Sequence, residues 1–207
     1  MELYGYGEDS LTLWALLNKS QEILKKCEDD SKISDCSIFY RPSFGRKGGD
    51  DRAEFGEFDF IIATAQNIFL GESKCSNNIN SNGLIRLHDC QINRHEIFSN
   101  YYQIWKTCAS EDFFDKCKKE FPKTMKKKKI PNPNSKLFSN LIFVFQKFDA
   151  LTQNQINVRN ILLLFHLDNK LKNKQIKPPE EFTLIQIDAP LIEESKSSFF
   201  QKLKFKI

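Results

Sequence analysis

Residues 56–74, GEFDFIIATAQNIFLGESK, admit few structures. Phe58, Phe60 and Ile62 alternate with Glu57, Asp59 and Ile61, and strands send successive side chains to opposite faces. On this reading Glu57 and Asp59 share one face, and Phe58 and Phe60 the other. A second run, residues 68–74, puts Leu70, Glu72 and Lys74 on one face. A two-residue turn at Ala65-Gln66, or a four-residue loop over 64–67, predicts a β-hairpin with a single register. In that register Asp59 faces Glu72 and Glu57 faces Lys74.

Two carboxylates directly opposite each other on neighbouring strands repel. Strands lie about 4.8 Å apart, so both acids can reach one small cation. Magnesium suits such a site because it takes oxygen ligands, often one or two carboxylates with waters and substrate phosphate. The alternative is a solvated face with a Glu57–Lys74 ion pair, a contact worth about 0–1 kcal/mol. Ile61, Ala63, Ile68 and Leu70 make both faces apolar near the turn. That favours a buried hairpin charged at one end.

An acid on one strand followed by acid-x-Lys on the next resembles the signature of the PD-(D/E)XK nucleases, the superfamily of many restriction endonucleases and Holliday-junction resolvases. Here the pattern is Asp59, then Glu72-Ser73-Lys74, with the lead-in Gly56-Glu57-Phe58. Phe58 stands where the motif has its proline, a position that varies in the superfamily. The resemblance implies an α/β fold with a central mixed β-sheet flanked by helices on both faces, a restriction-endonuclease-like core. It implies a Mg2+-dependent phosphodiesterase cleaving double-stranded DNA, with Mn2+ as a substitute metal. A restriction-type endonuclease comes first, working as a homodimer. The alternatives are a resolvase or repair nuclease on branched DNA, and a non-catalytic nucleic-acid-binding module with this fold.

The resemblance also implies roles. Asp59, Glu72 and the main-chain carbonyl of Ser73 would hold metal, and Lys74 would orient water or stabilise developing charge. The first helix would supply Glu8, with Glu22 as the fallback. The helix after the acid-x-Lys strand would lend a polar residue: Gln91 first, then Arg94 and His95. For Glu8 the plain alternative is an acid at the positive end of a helix dipole.

The chain of 207 residues predicts one domain over 1–207, long enough to bury a core rich in its 19 phenylalanines. No apolar run of about 18 residues predicts a membrane span, and the start MELYGYGEDS does not read as a signal peptide. The six cysteines form no CxxC pair, which argues against structural zinc and for reduced thiols in a cytoplasmic protein. The net charge of +4 excludes a globally basic coat. Basic residues cluster instead.

One cluster lies in the glycine-rich loop before the acids, where Arg41, Arg46, Lys47 and Arg52 could contact phosphate. The other is a Lys-rich loop around 116–136 with Lys126 and Lys127. It is either a solvated connector or a phosphate-gripping arm. Arg94 joins these as a candidate DNA contact.

A first helix is expected over 8–27, capped by Asp9 or Ser10, with Leu13, Leu17, Ser20, Leu24 and Cys27 facing the core. A short strand covers 37–41. A second helix spans 84–105, its first half unusually polar along His88, Gln91 and His95. Residues 137–148, 161–167 and 182–187 read as buried strands. The tail after 198 reads as an edge strand or a short helix.

Overall fold

The nine residues Asn67–Cys75 form strand β4, the middle of a five-stranded sheet and nearly all buried. The computed structural model describes residues 3–44, 56–120, 130–151, 156–166, 175–189 and 200–203. Arg46, Lys47, Arg52, Lys126 and Lys127 lie outside them.

In chain order the elements are β1 Leu3–Tyr6, α1 Gly7–Asn18, α2 Ser20–Lys26, β2 Ser37–Tyr40 and β3 Phe60–Ala63. After β4 come α3 Asp89–Trp105, α4 Phe113–Glu120, α5 Lys136–Leu151, β5 Asn157–His166, β6 Phe182–Asp188 and β7 Phe200–Leu203. The sheet order is β2-β3-β4-β5-β6. β2, β3 and β4 are antiparallel, while β4, β5 and β6 run parallel, so the sheet is mixed. β1 and β7 pair separately, which makes the tail a strand.

Helices cover both faces. On one, Phe98, Tyr102 and Trp105 of α3 meet Phe113 of α4 and Phe145 and Phe148 of α5 against Ile61, Ala63, Ile68 and Leu70. The Trp105 indole N–H donates to Asp149 at 2.6 Å and ties α3 to α5. On the other face Leu11, Trp14, Ile23 and Leu24 of α1 and α2 pack on Phe60, Ile62, Phe69, Leu163 and Phe165. This is the α/β architecture expected.

The hairpin has the expected register. Phe60 pairs Gly71, Ala63 pairs Ile68, and Thr64 N–H donates to the Asn67 carbonyl at 2.9 Å, closing a turn over Ala65-Gln66. Asp29, fully buried, pins that turn by accepting from Thr64 Oγ1 at 2.9 Å and Asn67 Nδ2 at 2.8 Å. Burial pushes Asp29 up, but its bonds from Ser31, Asn67 and Thr64 together outweigh burial and hold it below the usual carboxylate value.

Several local expectations fail. Residues 137–148 are not a strand but most of α5, where Leu141, Val144, Phe145 and Phe148 are buried at helical spacing. A continuous apolar run does not by itself separate a buried strand from a helix. The first helix breaks at Lys19 into α1 and α2, and α1 buries Leu11, Trp14, Ala15 and Leu16 rather than the expected Leu17, which is 65% exposed. It begins at Gly7, so Asp9 and Ser10 sit in its first turn rather than capping it. Residues 84–88 precede α3 and are not helical. The Lys-rich stretch begins within α4.

Candidate functional site

β3 and β4 part beyond the Phe60–Gly71 pair. Continued by one residue, the register sets Asp59 opposite Glu72. Asp59 lies in a bend, and the backbone before it turns aside. Glu57 bridges Ser43 instead of Lys74. Its carboxylate takes the Arg41 Nε hydrogen at 2.7 Å. The expected Glu57–Lys74 facing pair therefore does not form.

The bend also separates the two phenylalanines. Phe60 packs on the α1 side, while Phe58 packs with Phe44 and Phe98 on the α3 side. Strict alternation ends where the ladder ends. Gly71 is where Phe60 crosses β4: a Cβ there would lie 2.1 Å from the Phe60 ring. Gly56 adopts φ +89°, the left-handed region that glycine tolerates.

Parting leaves the β3-facing edge of β4 open, and Asp59 fills it: its Oδ2 accepts the Ser73 N–H at 2.7 Å. A residue in a strand presents its N–H and C=O to the same edge. The Ser73 carbonyl thus faces this fork. The Ser73 hydroxyl, fully buried, has no hydrogen-bond partner among the described residues.

α1 enters from its N-terminus. Glu8 Oε2 accepts from Lys74 Nζ at 3.3 Å, and Oε1 from the Cys75 N–H at 3.5 Å. The structure thus places Glu8 beside Lys74, and Glu22 elsewhere, paired with Lys19 and Lys26.

α3 closes the other side. Glu72, fully buried, accepts from Gln91 Nε2 at 2.6 Å, and its Oε1 lies 3.1 Å from His95 Nε2. Arg94 Nε stands 3.6 Å from the same oxygen, an ion pair without a hydrogen bond. The polar half of α3 is therefore buried on Glu72 rather than emerging into water. Arg94 sits inside the site, its side chain 13% exposed, with its guanidinium 5.9 Å from the Phe58 ring. His95 is sandwiched between Phe58 and Phe182, and its Nδ1 meets Asn160 Oδ1 at 2.8 Å.

Sequence reasoning passed over Asn160 and gave Asp9 only as a helix cap. Asn160 is the last polar residue before the apolar run of β5, and that position was its signal.

Electrostatically the fork is strained toward neutrality. Burial, then the charge of Glu72, pushes Asp59 up to about 7, against the Ser73 hydrogen bond and Lys74 that favour its carboxylate. A cation between the acids would reverse that penalty. The donor chemistry (Asp59, Glu72, Glu8 and the Ser73 carbonyl, all oxygen) fits a hard divalent ion. Among the described residues no group of three or more His, Cys, Asp or Glu side chains stands ready to hold a metal. Each acid is engaged by protein donors, so ligation has to use their remaining lone pairs or displace those bonds.

Among the described residues no helix is long and apolar enough to cross a membrane. No protein-family model matches the chain, and neither a curated protein nor a solved structure matches it significantly.

Proposed function

We propose that the protein is a metal-dependent phosphodiesterase cleaving DNA, most simply a restriction-type endonuclease. The observation that carries this reading is the fork itself: Asp59 opposite Glu72, with Lys74 two residues along β4 and Glu8 bonded to Lys74. Two acids and a lysine meet where β3 leaves the sheet, near enough that Glu72 and Lys74 both act on Asp59.

Phosphodiester hydrolysis joins a water oxygen to phosphorus, breaks the ester P–O bond and protonates the leaving oxygen. A divalent ion, when bound, would lower the pKa of a bound water and neutralise phosphate oxygens. Asp59, Glu72, Glu8 and the Ser73 carbonyl would hold it. Lys74, 17% exposed, can donate to the attacking water or to a non-bridging oxygen where charge develops. Gln91 and His95 fix the Glu72 carboxylate, so its lone pairs are aimed before substrate arrives.

A second reading, a DNA-binding module without cleavage, is favoured by the number of protein donors already on Glu72. One experiment separates the two. Plasmid DNA is incubated with protein and magnesium, with EDTA, and with the Lys74→Ala variant. Discrete fragments that need magnesium and vanish with Lys74→Ala support the nuclease. Binding without cutting, in magnesium and manganese alike, supports the module.

A further inference from the structure

The fork acids lie on separate elements, Glu8 on α1 and Asp59 before β3, and neither bonds the other. One residue connects both. Arg41, just past β2, sends Nη1 to Asp9, the neighbour of Glu8. Its Nε and Nη2 grip Glu57, two residues before Asp59. Its own N–H donates to the Asp59 carbonyl at 3.0 Å. Beside it the Tyr40 hydroxyl donates to the Asp9 carbonyl at 2.9 Å.

Arg41 adopts φ +51°, a left-handed conformation that non-glycine residues rarely hold unless the surroundings impose it. The planar guanidinium suits a two-carboxylate grip that an ammonium cannot copy.

We propose that Arg41 is a positioning residue that clamps the start of α1 to the Asp59 bend and so sets Glu8 and Asp59 in one arrangement. Arg41 and Asp9 are 38% and 48% exposed, and exposed ion pairs add little to global stability. The clamp's effect is therefore local. Its consequence for metal affinity rests on reading the fork as a hydrolytic site; the clamp itself does not.

Two backbone amides report the acids without any metal. Ser73 N–H donates to Asp59 and Cys75 N–H to Glu8, while Ser31 N–H donates to Asp29 at the far end of the sheet. In 1H–15N spectra of the full chain, Arg41→Ala should shift the Ser73 and Cys75 signals and leave Ser31 in place. Arg41→Lys should restore part of the shift. Asp9→Asn, which spares the Arg41 backbone, should move Cys75 first.

Magnesium titrated into Arg41→Ala should bind about 10- to 100-fold more weakly than to the wild type, as for residues that orient a metal's ligands. Ser73 and Cys75 signals that stay fixed in both Arg41→Ala and Asp9→Asn would overturn the clamp. Shifted amides in a protein that neither binds magnesium nor cuts DNA would uphold the clamp and remove the nuclease reading alone.

Discussion

Asp59 Oδ2 accepts the Ser73 N–H at 2.7 Å, so the carboxylate opposite Glu72 also seals the strand edge left open when β3 departs from β4. Structure and chemistry compete for one group. The backbone needs an acceptor there, while burial and Glu72 resist the charge.

That conflict predicts a pH dependence. Asp59 holds its proton to about 7 when folded, against 3.8 ordinarily, so the folded form carries more protons between those values. Its contribution to stability is greatest below about pH 4 and falls as pH rises to about 7, by roughly 4 kcal/mol at most. Without metal, Asp59→Asn should melt like the wild type near pH 4 and higher than it at pH 8. Equal melting at both pH values would contradict the burial argument.

Magnesium should act in the opposite direction. A ligand that binds the folded form raises stability by mass action. At pH 8, millimolar magnesium should raise the wild-type melting temperature, EDTA should remove the gain, and Asp59→Asn should show little of it. Thermal scans with and without metal decide the point.

Lys74→Ala should lower cleavage by about 100-fold or more, the scale seen when one preorganised donor to a transition state is lost. Its partly exposed pair with Glu8 is worth about 1 kcal/mol or less, so the variant should remain folded. Circular dichroism beside the cleavage assay checks both halves.

Gln91→Ala removes the 2.6 Å donor from the fully buried Glu72. A buried acceptor left short of a partner costs about 1–3 kcal/mol, so the variant's urea midpoint should fall. Gln91 Oε1 also caps α3 by accepting the His88 N–H at 3.1 Å, so Gln91→Glu, which keeps an acceptor there but removes the donor, isolates the Glu72 contact: an unmoved midpoint in that variant would contradict it.

Gly71→Ala should cost about 1–3 kcal/mol through overpacking, because its new methyl meets the Phe60 ring. Removing the ring in Phe60→Leu should recover part of that loss in the double variant. Additive losses in urea denaturation would show that the two residues do not share this space.

The hairpin was legible because its information is local. The apolar flanks of Ala65-Gln66 and the period of two determine the register of Phe60–Ala63 on Ile68–Gly71, which continued by one residue faces Asp59 with Glu72; the alternation before Phe60 misled, because Glu57 and Phe58 lie beyond the ladder. α5 was not legible as a helix, because Leu-Ile-Phe-Val-Phe buries well in either period and only its partners on α3 and α4 choose. Gln91 and His95 stood out as polar residues on a core-facing stripe; that they close on Glu72 needed the packing of α3.

The sequence by itself determined the paired strands and the acid-x-Lys spacing, since these follow from periodicity and chain order, while the mixed α/β class was legible only as what its resemblance implied. Only the tertiary structure decided that Glu57 turns away to Arg41, that Lys74 meets Glu8, and that three side chains of α3 surround Glu72. Those contacts join residues 16 to 66 positions apart, and their partners are chosen by how the helices settle on the sheet.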